Sequence, residues 1–357
     1  MFPTRILRLS AALGLLLALA ACDRSKDVMA KTPHYASEPP IDAVALDGGS
    51  VEDLVLWART ESLDVPTSWR SQPAYMLARE WARGTAQPDP YVEVERILTA
   101  VRDDKTRTPP ELRLNRIESL RRQIALRYHE FLPRALSIVQ SYLPERCEVR
   151  ARVFLAAFLP VYAFAWGDGI VINLSASIWG GDPNVVLNQI VHELHHRGFA
   201  ACGHDPPTPP LRREDLLEDV LWQIQNEGMA TYVGWIARSA DIKVEDYLLL
   251  EDDSAVTARF MKINQMLDAI GGTSDADLPG LREQIWRLGV DERSFYVVGA
   301  WMARRIEQQH GRSRLVTTVR DGPRAFMSEY HSTVPVPELR VTSLFERDEA
   351  GKNTGEP

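Results

Sequence analysis

The segment His192-Glu193-Leu194-His195-His196 constrains the fold of this chain more than any other feature of its sequence. Residues four apart on an α-helix lie nearly above one another, about 6 Å apart along the axis, so His192 and His196 can bind one metal ion. Glu193 lies one step round the same helix, where it can reach a water molecule on that ion. A catalytic zinc ion takes three protein ligands and leaves one position open. The fold must therefore bring a second element against this helix.

Glu227, in the segment Asn226-Glu227-Gly228-Met229-Ala230-Thr231-Tyr232, is our candidate for the third ligand. A carboxylate oxygen is an ordinary zinc ligand, and the predicted cofactor is one Zn²⁺ ion per chain. Gly228 and Ala230 have small side chains. We expect them to let their helix approach the histidine-bearing helix closely.

The two segments together resemble the gluzincin clan of zinc metallopeptidases, and N-E-G-x-A-T-Y is especially similar to the aminopeptidase N-like enzymes. The chain also resembles bacterial lipoproteins described as zinc-dependent proteases. This resemblance implies a zincin-like fold, peptide or protein substrates, His192, His196 and Glu227 as zinc ligands, and Glu193 as the general base. The two motifs lie further apart than is usual in that family, and the chain contains no G-x-M-E-N segment. The resemblance therefore does not extend to aminopeptidase specificity.

Other interpretations of the motif fit less well. A metzincin site needs glycine at position 199 and histidine at position 202, where this chain has Phe199 and Cys202. His195 points about 100° away from the ligand pair, so we expect it to support the ligands or to lie at the surface. An alternative from another class is an envelope lipoprotein that uses the zincin fold as a non-catalytic binding or assembly module. The presence of Glu193 disfavours that alternative, because a purely structural metal site needs no base.

A tyrosine later in the chain is the candidate for stabilising negative charge on the substrate. Tyr296-Val297-Val298-Gly299 resembles the Y-x-x-G helix that follows the zinc site in several such families, which implies Tyr296 as an oxyanion donor. The alternative is a tyrosine packed in a helical core. Tyr232, His310 and His331 are weaker candidates. Thr231 stands where thermolysin-like enzymes have an aspartate, so the residue that orients the zinc-binding imidazoles must come from elsewhere.

The N-terminus has the features of an exported lipoprotein. Arg5 and Arg8 precede an apolar run that is too short to favour a membrane-spanning helix. Leu19-Ala20-Ala21-Cys22 resembles the lipobox of bacterial lipoproteins, which implies cleavage before Cys22 and acylation of that residue. We therefore expect the chain to be anchored by lipid to a membrane of the bacterial cell envelope and to face the periplasm.

Charge and cysteine content bear on partners and compartment. With Arg5 and Arg8 removed and no acidic residue lost, the 41 basic and 49 acidic residues of the full chain become 39 and 49. This acidic balance disfavours nucleic acid as a partner, and the expected partners are a peptide or protein substrate and the membrane. Cys147 and Cys202 can form a disulfide in an oxidising compartment or remain separate buried thiols, and the sequence leaves both alternatives open. The oligomeric state is also open.

The expected fold class is mainly α with a small antiparallel β-sheet, that is, α+β. Apolar periodicity predicts helices over 51–60, 71–84, 91–104 and 111–141, and strands over 148–159 and 169–175. The predicted organisation is a signal peptide (1–21), a flexible tether (22–49), a zincin-like peptidase domain (50–346, with a helical part 50–145 and a catalytic part 146–346) and a disordered tail (347–357).

Local signals position the two helices that bear the motifs. Asp182 followed by Pro183 predicts the start of the histidine-bearing helix. Val186, Ile190 and Leu194 recur every four residues on it and should face the core. A second helix is predicted over 212–239. Residues 170–175 are the candidate for an edge strand that pairs with the substrate backbone, with an ordinary core strand as the alternative.

Overall fold

The computed structural model describes residues 45–59, 67–85, 87–104, 111–203, 212–272, 277–333 and 339–341. The predicted signal peptide, Cys22, most of the predicted tether and the predicted tail lie outside these residues. The strand Ala45–Asp47 falls within the segment that was expected to be a tether. Regular structure therefore begins a few residues earlier than predicted.

The described part of the chain is mainly helical, with a small sheet, and the α+β class is confirmed. The helices predicted from apolar periodicity agree with the structure to within a few residues at each end. The helices are α1 (Gly49–Arg59), α2 (Pro73–Gly84), α3 (Pro90–Asp104), α4 (Glu111–Gln140), α5 (Pro183–Ala201), α6 (Arg213–Ala237), α7 (Glu245–Leu250), α8 (Asp253–Gly272), α9 (Leu278–Trp286), α10 (Ser294–His310), α11 (Arg312–Asp321) and α12 (Pro323–His331).

The sheet is mixed rather than antiparallel. Its strands are β1 (Ala45–Asp47), β2 (Arg152–Ala156), β3 (Ala163–Trp166) and β4 (Gly169–Asn173), in the order β1-β2-β4-β3. β1 and β4 run parallel to β2, and only β3 and β4 are antiparallel.

The two strands that the sequence predicted are thus parallel neighbours, and the predicted antiparallel pairing is wrong. The turn at Gly167 joins β4 to β3, a strand that the periodicity did not show. Gly167 has φ of 54°, in the left-handed region that favours glycine. Because β3 lies between the two predicted strands in sequence and reverses the chain direction, β2 and β4 run in the same direction.

The proposed substrate-pairing strand is also corrected. β4, which forms most of the segment 170–175, is buried along its whole length and paired on both sides, by β2 and by β3. It is a core strand, as the alternative interpretation expected. The strand at the edge of the sheet on this side is β3, and it packs against α5.

The helix that carries the histidines begins where the sequence predicted. Asp182 precedes Pro183, and its side chain accepts a hydrogen bond from the backbone N–H of Asn184 at 2.8 Å. This capping satisfies one of the free N–H groups of the first turn. Val186, Ile190 and Leu194 are fully buried, which confirms the predicted core face. α5 is therefore held by both its cap and its packing.

α5 lies at the centre of the fold, between the sheet and two other helices. On one side α5 contacts β3 and β4, and on the others it contacts α4 and α6. α6 in turn packs along α10. The buried apolar side chains of the described residues form one continuous cluster that includes both the predicted helical part and the predicted catalytic part. None of the helices in the described residues is long and apolar enough to cross a lipid bilayer.

Small residues set the distance between α6 and α10. A Cβ atom on Gly228 would lie 2.2 Å from the Cα of Gly299, and one on Gly299 would lie 2.0 Å from the carbonyl oxygen of Ile224. Both values are far below any real contact, so the two backbones touch at these glycines. The expectation that Gly228 allows close approach to the histidine-bearing helix is wrong, since this residue faces α10 instead.

Candidate metal centre

α5 and α6 bring His192, His196 and Glu227 together. The Nε2 atoms of His192 and His196 lie 3.0 Å apart. One carboxylate oxygen of Glu227, Oε2, lies 3.4 Å from each of these nitrogens. The three predicted ligands therefore present one atom each to a common point, from two helices that are separate in sequence.

These atoms are spaced as zinc requires. In a tetrahedral site with bonds of about 2.0–2.1 Å, ligand atoms lie about 3.3 Å apart. Oε2 of Glu227 is buried and has no hydrogen-bond partner in the described residues. Leaving a buried carboxylate oxygen unpaired costs free energy, and a bound cation removes that cost. The spacing, the donor set and this unpaired oxygen all fit a zinc ion.

Asn226 orients one of the two imidazoles. Its Oδ1 lies 2.9 Å from Nδ1 of His196. Because an amide oxygen only accepts, Nδ1 carries a hydrogen, and Nε2 is the nitrogen that can bind a metal ion once it is deprotonated. Asn226 is the orienting partner that the sequence did not identify. Its position beside Glu227 is the signal that could have revealed it.

The charges in the metal-free site act on one another. Burial lowers the pKa of His196, but the carboxylates of Glu227 and Glu193 and the hydrogen bond with Asn226 outweigh it and raise the pKa to about 9. Burial raises the pKa of Glu227, whereas the two histidines lower it more strongly, to below its ordinary value. The surroundings thus stabilise positive charge between these side chains, which favours a bound cation.

Glu193 is buried on α5 beside the ligand pair, at 4% exposure. Its Oε1 accepts a hydrogen bond from the side-chain amide of Gln189, one turn earlier, at 2.9 Å. This contact restrains the carboxylate and leaves oxygen lone pairs available to accept a proton. Gln189 was not predicted, and its i,i+4 spacing to Glu193 is the only signal for it.

Tyr296 lies at the same site. Its ring stacks on that of His192, with centroids 6.0 Å apart and an interplanar angle of 14°. Burial raises the pKa of Tyr296, and the charge of Glu227 adds to this effect. The hydroxyl group therefore stays protonated and can donate a hydrogen bond. The contact between Gly299 and α6 is what carries this part of α10 towards the ligands.

Two of the weaker candidates, Tyr232 and His310, are bonded to carboxylates outside the ligand group. The hydroxyl of Tyr232 donates to Glu307 at 2.9 Å, and His310 contacts Glu329 through Nδ1 at 2.6 Å. His195 is fully buried, so of its two predicted alternatives the surface position is wrong. Neither of its ring nitrogens has a hydrogen-bond partner in the described residues, and it does not belong to the ligand group.

The structure decides between a disulfide and two separate thiols. Cys147 and Cys202 form a disulfide, with their Cα atoms 4.9 Å apart. Cys202 directly follows α5, so the bond ties the end of the histidine-bearing helix to the segment after α4.

Comparisons with known proteins give one match. No curated protein and no solved structure matches the chain. The family described as "Putative zinc dependent peptidase (DUF5700)" matches residues 103–334, a range that includes both motifs and Tyr296. Since this match covers more than half of the sequence, the chain belongs to that zinc-dependent peptidase family.

Proposed function

We propose that this protein is a zinc metallopeptidase that hydrolyses peptide bonds with water as the nucleophile. The observation that carries the proposal is the convergence of His192, His196 and Glu227 beside the buried carboxylate of Glu193. A site that only holds structure has no use for such a base. Membership of the peptidase family supports the same reaction class.

Each residue of the site has a separate role in the proposed reaction. Zinc held by the three ligands would lower the pKa of water towards 7 and polarise the scissile carbonyl group. Glu193 takes a proton from the attacking water and passes it to the amine that leaves. Gln189 keeps the carboxylate oriented through both transfers. Tyr296 donates a hydrogen bond to the oxygen of the scissile carbonyl as negative charge develops there.

The sheet supports a peptide as substrate. β3 lies at the edge of the sheet and packs on α5, the helix that bears Glu193. An extended peptide can add to such an edge through main-chain hydrogen bonds, which do not depend on its side chains. This arrangement suits a substrate that approaches the ligands in extended form.

The protein is further proposed to be a lipoprotein of the bacterial cell envelope, facing the periplasm. The basic N-terminus, the short apolar run and the sequence Leu19-Ala20-Ala21-Cys22 support this. The disulfide also supports export, because such bonds persist in oxidising compartments. Replacement of Cys22 by serine should move the protein from the membrane fraction to the soluble fraction of lysed cells, as measured by immunoblotting. Retention in the membrane fraction would contradict lipid anchoring.

The peptidase proposal is tested by Glu193→Gln. The amide cannot accept the proton but has nearly the same shape, so hydrolysis of a peptide library should fall by at least about 100-fold. Zinc content, measured by elemental analysis, should stay at one ion per chain, because residue 193 is not a ligand. The control is Glu130→Gln, an exposed residue of α4 that should leave hydrolysis unchanged.

The same measurements separate the proposal from its main alternative. A non-catalytic binding module would bind zinc and peptides in the wild-type form without cleaving them. Peptide cleavage that persists in Glu193→Gln would show that another group is the base.

A further inference from the structure

Arg293 has a backbone conformation that is rare for residues other than glycine. Its φ and ψ are 62° and 22°, in the left-handed region, directly before α10 begins. For a residue other than glycine this conformation is strained and persists only where surrounding contacts impose it. The contacts of its guanidinium group indicate what imposes it here.

The guanidinium group of Arg293 joins three elements. Nε and Nη2 donate to the two carboxylate oxygens of Asp246 in α7, at 2.7 and 2.5 Å. Nη1 donates to the hydroxyl oxygen of Tyr162, just before β3, at 2.9 Å. The central carbon lies 3.2 Å from the ring centroid of Tyr296. Since two of its nitrogens already donate to Asp246, Arg293 is suited to hold the two tyrosines rather than to bind a substrate carboxylate.

Tyr162 is fixed independently by its own loop. The backbone N–H of Asn173 donates to the carbonyl oxygen of Tyr162 at 2.9 Å. The side-chain amide of Asn173 donates to the carbonyl oxygens of Leu159 and Val161, at 2.8 and 2.9 Å. The ring of Trp179 packs edge-on against that of Tyr162, with centroids 5.9 Å apart. These contacts hold the phenol group in one position.

Both hydroxyl hydrogens are available to a substrate. The oxygen of Tyr162 accepts from Arg293, so its hydrogen points elsewhere, and within the described residues neither the Tyr162 nor the Tyr296 hydroxyl donates a hydrogen bond. Burial raises the pKa of Tyr162 to about 12, Arg293 opposes this, and the charges of Asp246, Glu227 and Glu193 add to it. The phenol is therefore protonated, and it lies close enough to the base and a ligand to feel their charges.

From these contacts we propose that Tyr162 is a second hydrogen-bond donor to the oxygen of the scissile carbonyl, and that Arg293 is a positioning residue for Tyr162 and Tyr296. This inference rests on the proposed peptidase function. A cation bonded to one phenol and stacked on the other draws electron density from both, which strengthens them as donors. The contacts with Asp246, Tyr162 and Tyr296 are those that can hold the backbone of Arg293 in its strained conformation.

The first test is Tyr162→Phe in the zinc-loaded full chain, with the peptide that the wild type cleaves best in a library. Loss of one such donor should lower kcat by about 100-fold, while KM changes by no more than a few-fold. Zinc content and the midpoint of thermal unfolding should stay as in the wild type. Tyr91→Phe is the matched control, because that hydroxyl donates to the carbonyl oxygen of Arg70 at the surface of the protein. An unchanged kcat in Tyr162→Phe would overturn the assignment.

The second test asks whether Arg293 acts through Tyr162. Lysine keeps the charge but cannot make the forked contact, so Arg293→Lys should lower kcat at least as much as Tyr162→Phe does. In the double variant, kcat should equal that of Arg293→Lys alone. Losses that multiply would show independent action and would overturn the positioning role. If Arg293→Lys does not unfold cooperatively, Asp246→Asn takes its place in the same double-variant comparison.

A third measurement does not depend on turnover. Acetohydroxamate, a small zinc-directed ligand with two oxygen atoms, is titrated calorimetrically into the zinc-loaded wild type and Tyr162→Phe. Loss of a hydrogen bond to a charged oxygen should weaken binding by about tenfold. Equal affinity would overturn the role of Tyr162. A wild type that binds the hydroxamate with this dependence but cleaves no peptide would refute the proposed function, and Tyr162 would remain only a hydrogen-bond donor to oxygen ligands at the zinc site.

Discussion

Single residues close to the candidate metal ligands in the sequence decide how those ligands are oriented. Glu227 and Asn226 are neighbours on α6, and they contact different nitrogens of the same ring of His196. Because the two nitrogens face different sides of the imidazole, one helix can both supply a ligand and orient another. Within α5, Gln189 orients the candidate base Glu193 through a hydrogen bond to its carboxylate. The site is thus built from adjacent or i,i+4 pairs on two helices.

At this scale the decisive variant is Glu227→Ala. It removes the ligand that contacts both histidines, so only two ligands of the group remain. Zinc content after dialysis, measured by elemental analysis, should fall from one ion per chain to a small fraction of that value.

Glu214→Ala is the matched control for this variant. Glu214 lies in the first turn of the same helix and is exposed, so its loss should leave the zinc content unchanged. If Glu227→Ala keeps full occupancy, another residue supplies the third ligand.

Among the elements, the contact between α6 and α10 sets the geometry of the site. Gly228 follows the ligand Glu227, and Gly299 lies three residues after Tyr296. Where these glycines meet, the helices approach at backbone distance, and the ring of Tyr296 is brought onto His192. A wider separation would move the tyrosine away from the ligands even though both motifs remained intact.

We therefore expect Gly299→Ala to be destabilising. Its Cβ atom would lie 2.0 Å from the carbonyl oxygen of Ile224, and relief requires one helix to shift. Overpacking of this kind costs about 1–3 kcal/mol in the free energy of unfolding, measured by urea denaturation.

Gly280→Ala provides the comparison. Apart from its chain neighbours and the backbone of its own helix, no atom of the described residues lies within 4 Å of a Cβ atom placed on this glycine of α9, so there alanine should stabilise the protein by about 0.5–1 kcal/mol. If both substitutions change the free energy of unfolding by the same amount, the α6–α10 contact accommodates the added methyl group without loss of stability.

For the whole molecule, the main constraint beyond the shared core is the disulfide. It links residues that are 55 positions apart and joins the segment after α4 to the end of α5. A cross-link that closes a loop of this length reduces the conformational entropy of the unfolded chain. In the folded protein it holds the histidine-bearing helix against the N-terminal helices.

Replacing both Cys147 and Cys202 by serine should lower the free energy of unfolding by about 4 kcal/mol. The measurement is urea denaturation with and without a reducing agent. The reducing agent should destabilise the wild type by a similar amount and leave the double variant unchanged. If the wild type and the double variant unfold at the same urea concentration, the bond contributes nothing to stability.

The sequence alone predicted several of the features that depend on neighbours along the chain. The helices, the start of α5 at Asp182 and the spacing of His192 and His196 follow from periodicity, capping and the helical repeat. The same local rules, with the resemblance of the second motif, singled out Glu227 before any distance was known. These features need only a few consecutive residues to be specified.

The tertiary structure decided what depends on pairs that are remote in sequence. The parallel pairing of β2 and β4, the contact of Gly228 with α10, the disulfide, and the cluster of Tyr162, Asp246 and Arg293 all join separate segments. No local pattern specifies such pairs, because they form only where several elements are packed against one core. The ligands could thus be recognised from the chain, whereas their surroundings could be identified only from the fold.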